Sequence, residues 1–200
     1  IEFIEAISMK KKTVDERSLL DVHQIVMSKI EKEFAGRYRN GMVRIVGANF
    51  SPPNHLKVDE LMEQYFLFVN ENPLGLDIAE MAAVMHHRFV WIHPFFDGNG
   101  RTVRLMMNLY LMQNGFPPAI ILKNDRKKYY EALNQANNNQ YEKLMLLVLQ
   151  AMERTLDIYL MAYPDGYEYK SIQHIVEEEQ LPYGQEYVSL LARQGKIDAY

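Results

Sequence analysis

The chain has 200 residues, 48% hydrophobic and 24% charged, with a formal net charge of -4, enough for one good-sized domain, a real core and a small appendage. The negative balance argues against nonspecific binding to nucleic acid or to anionic membranes. The lack of cysteine excludes disulfides and thiolate chemistry, and no apolar run reaches membrane-spanning length.

The apolar spacing is mostly helical. Leu19, Leu20, His23, Ile25, Val26, Ile30 and Phe34 predict a helix over 18–34, and Leu61, Met62, Tyr65, Phe66 and Val69 predict one over 57–70. Between them, Asn40 to Gly47 reads as a short β-hairpin, closed off by Pro52 and Pro53. Asp77 is the expected N-cap of a helix over 77–92, with Ile78, Met81, Ala82, Met85 and Phe89 on one stripe. A helix over 101–114 closes on Asn114-Gly115, and Pro117-Pro118 break the chain. Helices over 126–137 and 140–163 complete the core.

Tyr163-Pro164-Asp165-Gly166 is a turn signal and the expected boundary between a domain over 1–163 and a segment over 164–200. That segment holds two short predicted helices, 171–179 and 184–194, and Lys196 to Tyr200 alternates like the start of a strand. The expected fold is therefore mainly α: a helical bundle with one short hairpin and a small helix-turn-helix-like appendage. No signal peptide is visible, and the lack of cysteine suits a reducing cytoplasm. The first residue is Ile1 rather than Met, so upstream residues are expected to be missing.

The densest chemistry lies in one run, His93-Pro94-Phe95-Phe96-Asp97-Gly98-Asn99-Gly100-Arg101-Thr102-Val103-Arg104. Gly98 and Gly100 let the backbone adopt φ > 0 and expose N–H groups. A helix is predicted just after them, and its unpaired N–H groups and positive dipole end make an anion site. Arg101 and Arg104 fall at the start of that helix, where cations oppose the dipole by roughly 0.3–1 kcal/mol each. A bound anion would reverse the sign of that cost, and guanidinium forks suit phosphate oxygens. Asp97 would repel a phosphate unless a Mg²⁺ lay between them. His93, at the exit of the preceding helix, is placed to act as a general base. Phe95 reads as a core anchor without chemistry. Each residue alone has an ordinary explanation: a tight turn, a salt bridge, an Asx-turn, a helix-end histidine. Few structural needs call for all of them within twelve residues. His86 lies seven residues before His93, but no Cys, Asp or Glu joins them at zinc-ligand spacing, so a zinc site is not expected.

The run resembles the signature of Fic domains, His-Pro-Phe-x-(Asp/Glu)-Gly-Asn-Gly-Arg-x-x-Arg, with every specified position present. Gly36 to Arg39 with Val43 to Gly47 looks like the substrate-binding flap of that family. Tyr129 to Asn137 looks like its adenine-side segment. The likeness covers about 15–160. It implies a protein adenylyltransferase, which moves AMP from ATP to a Ser, Thr or Tyr hydroxyl of a protein target and releases pyrophosphate. It further implies that His93 deprotonates the target, that Asp97 holds Mg²⁺, and that Gly98, Asn99 and Gly100 cradle phosphates. Arg101, Thr102 and Arg104 would complete the phosphate site, and Tyr129, Tyr130 and Asn137 the nucleoside site. Val43, Arg44, Ile45 and Val46 would pair with an extended segment of the target, by strand addition.

Many Fic proteins also carry a (Ser/Thr)-x-x-x-Glu-(Gly/Asn) inhibitory helix, which no Ser or Thr of this chain begins. That helix is expected in missing upstream residues or on a separate chain. Tyr187 to Ile197 is similar to the winged-helix modules appended to Fic domains. Its stretch 171–200 is acidic, so DNA binding is not expected. Two other readings remain open at this point. One is a relative of the same fold that uses another nucleotide or moves another group. The other is a nucleotide-sensing or DNA-binding regulator. Oligomeric state, a homodimer included, is left open.

Overall fold

The computed structural model describes residues 14–45, 50–161, 170–194 and 196–197. The chain divides into two compact units, Ile1–Asp157 and Ile158–Tyr200. The described residues hold eight α-helices: α1 Glu16–Met27, α2 Val58–Glu71, α3 Ile78–Ile92, α4 Asn99–Gln113, α5 Arg126–Ala136, α6 Glu142–Met161, α7 Ile172–Glu178 and α8 Gln185–Arg193.

The pair α3 and α4 is the centre of the first unit, with α1 packed on α4 and α2 on α3. Helix α3 starts on a capping box, in which Asp77 accepts from the Glu80 N–H and Glu80 accepts from the Asp77 N–H. It is apolar on both sides, which a helix buried between two layers requires. One side, through Met81, Met85, Phe89 and Ile92, joins α1 and α2 around Leu19, Met62, Phe68 and Phe95. The other presents Ala79, Ala82 and Ala83 to α5 and α6, through Tyr129, Ala132, Leu144 and Val148. Small residues there let the neighbouring helices come close. The core thus has two lobes with α3 and α4 running between them, and the loop that joins these two helices emerges at one end.

Two expectations change. Helix α1 runs over Glu16–Met27 and stops short of the predicted 34. Its N-cap is Asp15, whose carboxylate accepts from the Ser18 N–H at 2.7 Å. The chain turns at Ser28 because His23 draws Gly36 back against the helix: the Gly36 N–H donates to His23 Nδ1 at 3.0 Å. The β-hairpin over 40–47 is not seen. Residues 42–45 carry no strand pairing among the described residues, and 46–47 lie outside them. The predicted boundary at 163–166 and the strand start at 198–200 also lie outside the described residues. In the second unit, α7 and α8 form a short helical pair.

Candidate active site

Helix α3 ends at Ile92, and His93 takes a left-handed conformation at φ 52, ψ 59. A side chain bearing a Cβ there costs roughly 1–2 kcal/mol. Pro94 prevents the helix from continuing. The strained residue is held from three directions. Its N–H donates to the Phe89 carbonyl at 2.9 Å and the Arg39 N–H donates to the Pro94 carbonyl at 2.8 Å. Arg39 Nε–H donates to the His93 carbonyl at 2.8 Å. His93 Nδ1 lies 3.2 Å from the Val90 carbonyl. A carbonyl only accepts, so Nδ1 carries the proton and Nε2 keeps its lone pair. Burial, first of all, pushes the His93 pKa below its ordinary value. The imidazole is neutral near pH 7 and can take a proton at Nε2.

The next residues form a rigid bridge to α4. Phe95 is fully buried. Asn99 grips its peptide on both sides, accepting from the Phe95 N–H at 2.9 Å and donating to the Phe95 carbonyl at 2.8 Å. Asn99 is thus a buried lock, and only its backbone remains available to a ligand. Gly98 has φ 77, and a Cβ there would stand 2.8 Å from Met27 Sδ. The positive φ favours glycine, and an added Cβ would oblige the Met27 side chain to shift. Asp97 accepts from the Gly98 N–H at 2.6 Å, so the carboxylate folds over the turn.

Helix α4 begins directly on this loop with no acidic residue in its first turn, so its unpaired N–H groups face the site uncompensated. Arg101 pairs with Asp97 at 3.2 Å, with side chains 40% and 62% exposed. An exposed pair of this kind is worth well under about 1 kcal/mol, and both partners can be given up to a ligand. Arg104, one turn on, sits beside the Tyr129 hydroxyl and lowers its pKa against burial, which raises it to about 12. Thr102 is buried, with its hydroxyl unpartnered among the described residues. A Cβ on Gly100 would come within 3.4 Å of Arg104. Among the described residues no three His, Asp or Glu gather into a metal cage. Within the run from His93 to Arg104, Asp97 is the one carboxylate, and its side chain is 62% exposed. That suits Mg²⁺, which usually takes one or two protein carboxylates and completes its shell with phosphate oxygens and water.

The adenine-side residues separate. Tyr129 is buried and shares its hydroxyl with His86 Nε2 at 2.8 Å, so it reaches the loop through Arg104. Tyr130 is 46% exposed, with Arg126 over its ring at 5.6 Å. Asn137 caps α5 and accepts from His87 Nε2 at 2.9 Å. It lines a cleft of about 400 Å³ with Tyr65, Arg88, Trp91 and Tyr141, a cleft that none of the residues from His93 to Arg104 lines. In the flap, Val43 and Ile45 are half-buried and Arg44 is exposed. Val46 lies outside the described residues.

Two residues of the site were not singled out from sequence. His23 on α1 lies 3.0 Å from the Asp97 carbonyl through Nε2. Its only signal was a histidine on an otherwise apolar helical stripe. Arg39 is 2% exposed and binds backbone carbonyls, which no spacing rule could anticipate.

Residues 13–111 match the model of the Fic/DOC family. The chain belongs to the Fic/DOC family. A protein adenylyltransferase Fic from Nematostella vectensis is 39% identical over 160 residues, covering 78% of this chain and 36% of that protein. The Drosophila erecta protein of the same name is 35% identical over 166 residues, covering 82% and 33%. The chain thus spans about a third of the length of the curated relatives it matches. Among solved structures, Fic-1 from C. elegans superposes with a TM-score of 0.71 at 30% identity, over 80% of this chain and 48% of that one. A Fic domain containing signaling protein from Bacteroides thetaiotaomicron superposes at 0.73, with 21% identity, over 84% and 71%. The mainly helical bundle is therefore the Fic fold. No helix among the described residues is long and apolar enough to cross a membrane.

Proposed function

We propose that this chain transfers AMP from ATP to a Ser, Thr or Tyr hydroxyl of a protein target. The observation that carries the reading is the fixed tautomer of His93. Its Nδ1 proton is committed to Val90, so Nε2 keeps the lone pair a general base needs, on the residue that leads into a loop suited to anions. Nε2 accepts the proton of the target hydroxyl, and the oxygen attacks the α-phosphorus. The bond to the bridging oxygen breaks and pyrophosphate leaves. The N-terminal N–H groups of α4, with Gly98 and Gly100, hold the phosphates, and Arg101 and Arg104 neutralise them. When bound, Mg²⁺ would supply charge neutralisation on the phosphates, with Asp97 as its protein ligand. Asp97 would exchange Arg101 for the ion, and Arg101 would turn to phosphate. The names of the relatives support this reading.

Val43 to Ile45, without a strand partner among the described residues, suits an extended target segment. Tyr130 would complete the nucleoside side, with Asn137 carried over by the resemblance alone, since its cleft is not lined by the loop residues. In the C-terminal unit, Glu177, Glu178, Glu179 and Glu186 outnumber Arg193 and Lys196. Contact with protein fits that surface better than contact with DNA.

The test is incubation with Mg²⁺ and ATP labelled at the α- or the γ-phosphate, in cell lysate, beside His93→Ala. Labelling of protein from the α-position alone, lost in the variant, is the expected result. Labelling from the γ-position alone would mean phosphoryl transfer and overturn the reading.

A further inference from the structure

Arg39 is a buried cation whose side-chain hydrogen bonds, among the described residues, go to main-chain carbonyls. Nε–H donates to His93 at 2.8 Å, Nη1 to Gly41 at 2.9 Å, and Nη2 to Pro53 at 2.6 Å and Ile92 at 3.4 Å. Its own N–H donates to Pro94 at 2.8 Å. These carbonyls belong to two parts of the site. Ile92, His93 and Pro94 are the end of α3 and the strained turn that carries the base. Gly41 and Pro53 are the points where the chain departs toward Val43–Ile45 and where it has returned. One planar fork therefore holds both.

We propose that Arg39 is a positioning residue that fixes the base His93 and the target-docking stretch Val43–Ile45 at one set separation. The proposal rests on the adenylyltransferase reading and names the residue that registers its two substrates. Left-handed His93 needs an outside force to stay in place, and the Arg39 bond to its carbonyl acts directly on that peptide. A change in the Gly41 or Pro53 anchor is passed to the same guanidinium. Lysine cannot replace it, because three donors on one nitrogen do not span carbonyls arranged around a fork.

The test is Arg39→Lys, read in two ways. The first needs neither nucleotide nor target. Hydrogen exchange should rise about tenfold at the position-39 and His93 amides, a local opening, while the Met85 and Leu147 amides of the core stay as slow as in the parent. Backbone relaxation should show greater motion at Val43 and Ile45. The second is kinetic. A small misplacement of a base should cut kcat by about 10–100-fold and raise the KM for a target peptide, with the KM for ATP unchanged. An even rise in exchange over the whole unit, or global unfolding of the variant, would make Arg39 a general stability residue and overturn the proposal. So would a KM for ATP that rises as much as that for the peptide. If the parent chain transfers no AMP, the reaction assignment falls, and the exchange and relaxation results still decide whether Arg39 ties these two parts together.

Discussion

The imidazole of His23 lies flat on the ring of Phe95, with centroids 3.6 Å apart and planes 3° apart. Its two nitrogens do different work. The Gly36 N–H donates to Nδ1 at 3.0 Å, so the proton is on Nε2, which donates to the Asp97 carbonyl at 3.0 Å. Helix α1 thereby holds the loop by a stacked ring and one hydrogen bond, and the same ring ends the helix. His23→Phe keeps the stack and removes both bonds. Both bonds are part-buried, and each stranded partner costs at most about 1–3 kcal/mol, so urea denaturation should show a combined loss of roughly 2 kcal/mol or more. ATP should also bind more weakly, because Asp97 loses its support. Unchanged stability would mean that water replaces both bonds.

The buried histidines give the protein an acid-sensitive fold. Burial, as the largest cause, lowers the pKa of His23, His86, His87 and His93, and that of His86 falls to about 3. Each therefore binds a proton more readily unfolded, at about pH 6.5, than folded. Stability rises with pH wherever the unfolded state holds more protons. The contribution is complete above about 6.5 and is lost as pH falls toward each folded value. Thermal melts should be level near neutrality and drop steadily from pH 6.5 to 4, with a shallower drop for His86→Gln. A Tm that holds or rises on acidification would contradict this assignment.

Gly98→Ala meets two separate obstacles. At φ 77 the new Cβ is strained, and it stands 2.8 Å from Met27 Sδ. The backbone part costs about 1–2 kcal/mol, and the clash adds to it. A double-mutant cycle separates them. In a Met27→Ala background the cost of Gly98→Ala should shrink toward the backbone part, with the His23 Nε2 contact at 3.2 Å left in place. Equal costs in both backgrounds would remove Met27 from the account.

The His93–Arg104 run was legible because its chemistry is local: base, turn, helix start and cations are neighbours in sequence. The cap at Asp77 and the stripe of α3 were legible for the same reason, since capping and periodicity are short-range effects. What sequence hid is what depends on tertiary contact. That the Asn99 side chain clasps Phe95, accepting from its N–H and donating to its carbonyl, shows only in the fold. The helix expected to reach Phe34 stops at Met27 because His23 needs Gly36, thirteen residues away. Asn40 to Gly47 carries hairpin residues, yet 42–45 have no ladder among the described residues. Tyr129 and Asn137 look like one surface and are drawn to two histidines, His86 and His87.

Asp97 provides a prediction in which stability and ligand binding part company. Its side chain is 62% exposed and its pair with Arg101 is an exposed one, worth under about 1 kcal/mol. Asp97→Asn should leave the Tm nearly unchanged. Without metal it should bind ATP as well as the parent or better, because a carboxylate beside phosphate is repulsive and the amide is not. With Mg²⁺ the order should reverse: the parent gains affinity and the variant does not, since the ion loses its protein ligand. Titration calorimetry with and without Mg²⁺ reads both arms. Equal enhancement by Mg²⁺ in parent and variant would mean that the ion is held by phosphate and water alone, and would confine Asp97 to shaping the loop.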